Sequence, residues 1–128
     1  MAVQETRRGS GSDAGGGSEA AYAAACAAYT VARGVAPDRR WRALLRLATA
    51  DPVLWAWVQP RLSYATGVAR LDGRDARGAA LGPPQRLLLG VARNLYQGQG
   101  TVDLAAVADG LDGAQFGAVL AALDAYRA

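Results

Sequence analysis

The stretch DRRWRALLRLATADPVLWAWVQP, residues 38–60, decides the fold. Asp38 follows Pro37 and opens a helix that runs to about Thr49. Within it Trp41, Leu44, Leu45 and Ala48 fall at i, i+3, i+4 and i+7 and make one apolar stripe. Arg39, Arg42 and Arg46 lie on the opposite face, with Arg40 at its flank. This period of about 3.6 is that of a helix with one buried side. Asp51-Pro52 then restarts the backbone. An aspartate side chain suits the N-cap, and proline at the first helical position gives up an N–H that has no partner there in any case. The next helix, Pro52 to about Gln59, carries Val53, Leu54, Trp55, Trp57 and Val58. It is apolar on nearly every side, which predicts the central buried helix of the fold. Pro60 ends or kinks it, and a helical continuation is expected from Arg61 to about Ala69.

Before this stretch, a first helix is expected from about Glu19 to Arg33, with Ser18 as N-cap and Gly34 as its stop. Tyr22, Ala25, Cys26 and Tyr29 share one face of it, and Cys26 reads as a small core residue. Residues 1 to about 17 are rich in glycine and serine and bury too little to offset their ordering entropy, which predicts a flexible tail. After it, residues 70–82 (RLDGRDARGAALG) read as a loop. A further helix is expected from Pro83 to Gln97, with Leu87, Leu88, Val91, Ala92 and Leu95 inward and Gly98 beyond its end. A short helix follows from about Asp103 to Asp109, stopped by Gly110. A last helix begins after an Asp112 cap, with Phe116, Val119, Leu120 and Leu123 on one face. No period-two strand is evident, although Thr101-Val102 is a candidate for a brief extended pairing.

These elements predict an all-α fold: a disordered Gly/Ser-rich tail over residues 1–17 and a single compact bundle of five to seven helices over 18–128. The C-terminal third, in which the short helix VDLAAVADGL, a tight turn at Gly110-Leu111-Asp112 and the helix GAQFGAVLAAL follow a long helix, is a three-helix unit. It resembles the outline of a helix-turn-helix or winged-helix unit. That resemblance implies a recognition helix beginning near Asp112. The charges oppose it. From Gly98 onward there are four aspartates and one arginine, a net of −3, and Gln115 is the sole base-reading side chain on offer.

The chemistry that is missing bounds the function. The chain has no histidine, one cysteine and no lysine, so all fourteen basic residues are arginine. The commonest general base and metal ligand is absent, Schiff-base chemistry is excluded, and one cysteine makes neither an internal disulfide nor a thiolate metal cage. No cofactor or metal is expected, and the inventory points away from enzymes. Arginine without lysine, beside abundant alanine and glycine, is also what a GC-rich bacterial genome writes. Ala20 to Ala32, about thirteen residues, is the longest nearly uncharged apolar run and is too short to cross a bilayer. No targeting segment is evident, so no membrane partner and a cytoplasmic location are expected, and a lone cysteine agrees with a reducing compartment. Asp72 and Asp75, interleaved with Arg74 and Arg77, read as self-satisfied loop charges.

Charge is segregated along the chain. Residues 33–93 hold eleven arginines and four aspartates, a net of +7, against the acidic end. The leading expectation is therefore a small non-catalytic adaptor that docks an acidic or phosphate-bearing partner, most simply an acidic protein surface, through Arg39, Arg40, Arg42 and Arg46. Arginine in place of lysine favours bidentate contact to carboxylate or phosphate. The alternative is a small nucleic-acid-associated regulator using the helix-turn-helix-like unit. A third reading is a small helical enzyme or a binder of an acidic small molecule, with a groove formed by Trp57, Tyr64 and Arg61. A homo-oligomer is compatible with any of the three.

Overall fold

In the computed structural model the backbone is described for residues 2–72 and 81–128, and side chains from residue 18 onward within those ranges. Six helices appear among the described residues: α1 (Ala2–Arg33), α2 (Arg39–Ala48), α3 (Pro52–Val58), α4 (Pro83–Gln97), α5 (Leu104–Gly110) and α6 (Gly113–Arg127). Between α3 and α4 lie a 3-10 turn (Gln59–Arg61) and a two-stranded antiparallel hairpin, β1 (Leu62–Ser63) and β2 (Val68–Ala69). The chain is an all-α compact bundle, and α4, α5 and α6 form its three-helix C-terminal unit. The first helix begins at Ala2, so Ser18, read as its N-cap, lies within it. The side chains of residues 1–17, read as a flexible tail, fall outside the described residues.

The centre of the bundle is α2, not α3. It is packed between α4 and α6, α1 touches it, and α3 contacts α2 and α4. Trp41, Ala43, Leu44, Leu45, Leu47 and Ala48 are all buried. Ala43 and Leu47 thus add a second apolar side to the stripe that the sequence periodicity shows. A helix bearing four arginines tolerates this because the long aliphatic stems run along the apolar neighbours and carry the guanidinium groups to the rim. Asp38 caps the helix, its Oδ1 accepting from the Trp41 N–H at 3.0 Å. The expectation for α3 is corrected in the same way. Leu54, Trp57 and Val58 are buried, but Pro52, Val53 and Ala56 are exposed and Trp55 is half-buried. Two helical turns at the edge of a bundle have only one neighbouring side to bury.

The helical continuation expected over 61–69 is replaced by the hairpin. Its register pairs Leu62 with Ala69 and Ser63 with Val68. Gly67 adopts φ +67°, which closes the four-residue loop and which other residues rarely reach. Tertiary contacts hold the loop. Arg33 Nη1 donates to the Ala65 carbonyl at 3.1 Å, and the Tyr64 ring packs against Tyr29 and Trp41 with centroids 6.1 and 5.9 Å away. Trp41 is the hub of this aromatic cluster, with Tyr29 at 5.0 Å and Tyr96 at 5.5 Å, so α1, α2, the hairpin and α4 meet on one indole. Thr101 and Val102 belong to no strand.

In the C-terminal unit, α4 buries Leu88, Leu89, Val91 and Ala92, while Leu87 and Leu95 are only half-buried. Gly98 ends the helix in the left-handed conformation, its N–H donating to the Asn94 carbonyl at 2.9 Å. The inward face of α6 differs from the expected one: Val119 and Ala122 are buried, Phe116 is half-buried, and Leu120 and Leu123 are 54% and 41% exposed. Alanine and leucine surround this helix, so periodicity alone does not select the buried side.

Candidate functional site

The arginines of α2 have divided duties. The Arg39 guanidinium lies 4.8 Å from the centre of the Tyr126 ring on α6. Arg42, half-buried, donates from Nη1 to the Pro37 carbonyl at 2.8 Å and from Nη2 to the Ala125 carbonyl at 3.5 Å. Arg46 stacks 3.7 Å from the centre of the Tyr22 ring and pairs with Glu19, both on α1. These three side chains therefore tie the central helix to α6 and α1. Arg40 points elsewhere. It is exposed and lines a hollow of about 400 Å³ with Asp38, Trp41, Gly67, Tyr96, Gln97 and Gln99.

Of the second predicted group, the structure joins two members and separates the third. Arg61 donates from Nη1 to the Trp57 carbonyl at 2.6 Å and stacks on the Trp57 ring at 3.8 Å. Tyr64 is instead part of the aromatic cluster around Trp41. Beside Trp57 lies a hollow of about 460 Å³ walled by Pro52, Val53, Ala56 and Leu81, with little polar character. The Trp57 Nε1 is buried without a hydrogen-bond partner among the described residues. Of the charges in the 70–82 loop, Asp72 is exposed and engaged by a neighbour, whereas Arg74, Asp75 and Arg77 fall outside the described residues.

A site not singled out by sequence reading lies between the hairpin and the C-terminal end of α4. Ala69, Arg70, Leu71 and Asp72 from the chain leaving β2 face Arg93 and Gln97 of α4 and Gln99 beyond it, around a hollow of about 400 Å³. It shares Gln97 and Gln99 with the hollow at Arg40. It shares Arg70 with a third hollow of about 550 Å³ lined by Pro60, Arg61, Ser63 and Thr66. Through these shared residues the three adjoin as one open channel of mixed polar and apolar lining, with Arg40, Arg70 and Arg93 among its residues. Arg93 is half-buried, and its Nε is sealed from solvent with no hydrogen-bond partner among the described residues. Neither the Arg93 nor the Arg70 guanidinium makes an ion pair among the described residues. Taking a guanidinium partly out of water is unfavourable unless its N–H groups find partners, and the carboxylate lining the same hollow is that of Asp72. The sequence signal for it is faint. Leu89, Arg93 and Gln97 recur at four-residue intervals along one flank of α4, but the approach of Arg70 depends on a hairpin that the sequence does not announce.

A second convergence is structural. Asp51, 8% exposed, caps α3 with Oδ1, accepting from the Val53 and Leu54 N–H groups at 2.9 and 3.0 Å. Its Oδ2 accepts from Gln85 Nε2 at 3.0 Å and from Gln115 Nε2 at 3.4 Å. Each glutamine caps its own helix, Gln85 Oε1 accepting from the Gly82 N–H at 2.9 Å and Gln115 Oε1 from the Asp112 N–H at 3.0 Å. The positive ends of α3, α4 and α6 thus meet on one carboxylate, which suits an anion there. Asp51 is fully occupied as a structural tie.

Burial holds the Tyr22, Tyr64 and Tyr96 hydroxyls above the ordinary tyrosine range, because the phenolate is poorly solvated inside the bundle. Among the described residues no three potential metal ligands come together, and no helix is long and apolar enough to cross a membrane. No family model, curated protein or solved structure matches the chain.

Proposed function

We propose that the protein is a small non-catalytic interaction module that docks an acidic or phosphate-bearing partner, and that the contact surface is the channel of Arg40, Arg70 and Arg93. The observation that carries this reading is Arg93, a half-buried guanidinium whose Nε has neither solvent nor a partner among the described residues, in the same hollow as a second arginine that makes no ion pair with them. Arg39, Arg42 and Arg46 are engaged within the molecule, so they orient the bundle while Arg40 remains on the docking side. The acidic α5–α6 end, with Asp103, Asp109, Asp112 and Asp124, disfavours the approach of a DNA duplex to the helix-turn-helix-like unit.

Anisotropy of a fluorescein-labelled poly-glutamate peptide tests the reading. Binding is expected at low salt, weakening steeply as salt screens the charges, and lost when Arg40, Arg70 and Arg93 are together changed to Glu. Retention of binding by that triple variant, or preference for random duplex DNA over the peptide at equal salt, overturns it.

A further inference from the structure

Resting on that docking reading, we infer that the hollow between Arg70 and Arg93 is a phosphate subsite, and that the partner is a peptide segment carrying a phosphoserine or phosphothreonine. Charge supplies the first reason. A single carboxylate satisfies one guanidinium bidentately, but this hollow is lined by two arginines that make no ion pair among the described residues, together with Gln97 and Gln99. A phosphate monoester carries a charge of about −1.5 to −2 and three acceptor oxygens, enough to serve both arginines and an amide. Asp72 also lines the hollow, is exposed and has an interaction of its own, so the two arginines outnumber the carboxylate by one charge.

The surroundings supply the second reason, separating a peptide from a nucleic acid. Single strands are held by rings on which bases stack. Among the lining residues of the Arg70–Arg93 hollow there is no aromatic side chain. In the adjoining hollow Trp41 is buried, and the Tyr96 hydroxyl is turned to the Gly67 carbonyl at 3.4 Å. A duplex presents phosphates along its whole length, yet the chain turns acidic at Asp103, just past Gln99. One local phosphate, flanked by chain that follows the channel toward Arg40, fits both the concentration of charge and its limits.

The test uses the full chain and three labelled decapeptide pools, degenerate except for a central phosphoserine, glutamate or serine, with inorganic phosphate as a separate NMR probe. The phosphoserine pool is expected to bind about ten-fold or more tighter than the glutamate pool, the scale of one strong charge-assisted contact. Inorganic phosphate is expected to shift the Arg93 Nε–H resonance. R93Q and R70Q should each remove the phosphoserine advantage, while R39Q retains it. Arg70 is exposed, so R70Q keeps the test decisive even if R93Q melts early. Equal binding of the phosphoserine and glutamate pools overturns the phosphate subsite and leaves the acidic-partner reading standing. Failure of both pools overturns both readings. Tighter binding of a labelled single-stranded oligonucleotide than of the phosphoserine pool overturns the peptide assignment.

Discussion

The two helices of the 38–60 stretch invert the usual relation between composition and burial. α2 carries four arginines in ten residues and lies at the centre of the bundle; α3 has no charged residue and leaves Pro52, Val53 and Ala56 in solvent. The difference comes from neighbours and from stem length. α2 has α1, α4 and α6 around it, and arginine can pack its methylenes against them while its head group reaches Tyr126, Ala125 or Glu19. α3 has two turns and a single packed side. Composition reports what a helix can bury, whereas position in the bundle decides what it does bury.

The contrast is broken most forcefully at Trp41. Replacing it with alanine should cost roughly 3–5 kcal/mol, because the indole is 3% exposed and joins four elements. Urea denaturation gives the number, and a loss under about 1 kcal/mol would contradict a central α2. Next comes Asp51→Ala, which removes the α3 cap and leaves the Gln85 and Gln115 amides without their acceptor; about 2–4 kcal/mol is expected. Asp51→Asn, which keeps a capping oxygen, should lose less than half of that.

A smaller effect comes from alkali. Tyr64 and Tyr96, both against Trp41, have folded-state pKa values raised by burial above the unfolded value of about 10. Their contribution to stability is complete below that pH and is lost as pH rises through the folded values, because the unfolded chain releases its protons first. Denaturation midpoints measured from pH 9 upward should therefore hold steady and then fall, in step with tyrosinate absorbance, and Tyr64→Phe should reduce the fall. Last, Val53→Ser on the outer side of α3 should change stability by no more than about 0.5 kcal/mol, since the side chain is already 46% exposed.

Much of the bundle is legible in the chain. The 3.6-residue period, the Asp38, Asp51, Asp103 and Asp112 caps and the Gly98 stop place the helices from α2 to α6 close to where they form. Which helix is central is not legible, because periodicity describes one helix at a time and centrality is a property of several. The hairpin is hidden because its two-residue strands carry no alternation and its stability comes from Arg33 and Tyr64 acting at a distance. The candidate site shares that obscurity. Arg40 is found by reading along α2, but Arg70 and Arg93 belong together only after the hairpin has folded against α4.

Asp51 also sets a condition on the order of events during folding. Its partners Gln85 and Gln115 lie 34 and 64 residues along the chain. The carboxylate can complete its bonds only after α3, α4 and α6 have each docked, so the tie is expected to close late, on the native side of the folding barrier. Interactions formed that late act on the rate of unfolding and leave the rate of folding nearly unchanged. The junction of three helix ends is therefore expected to act as a latch, Asp51→Ala speeding unfolding several-fold while folding slows little.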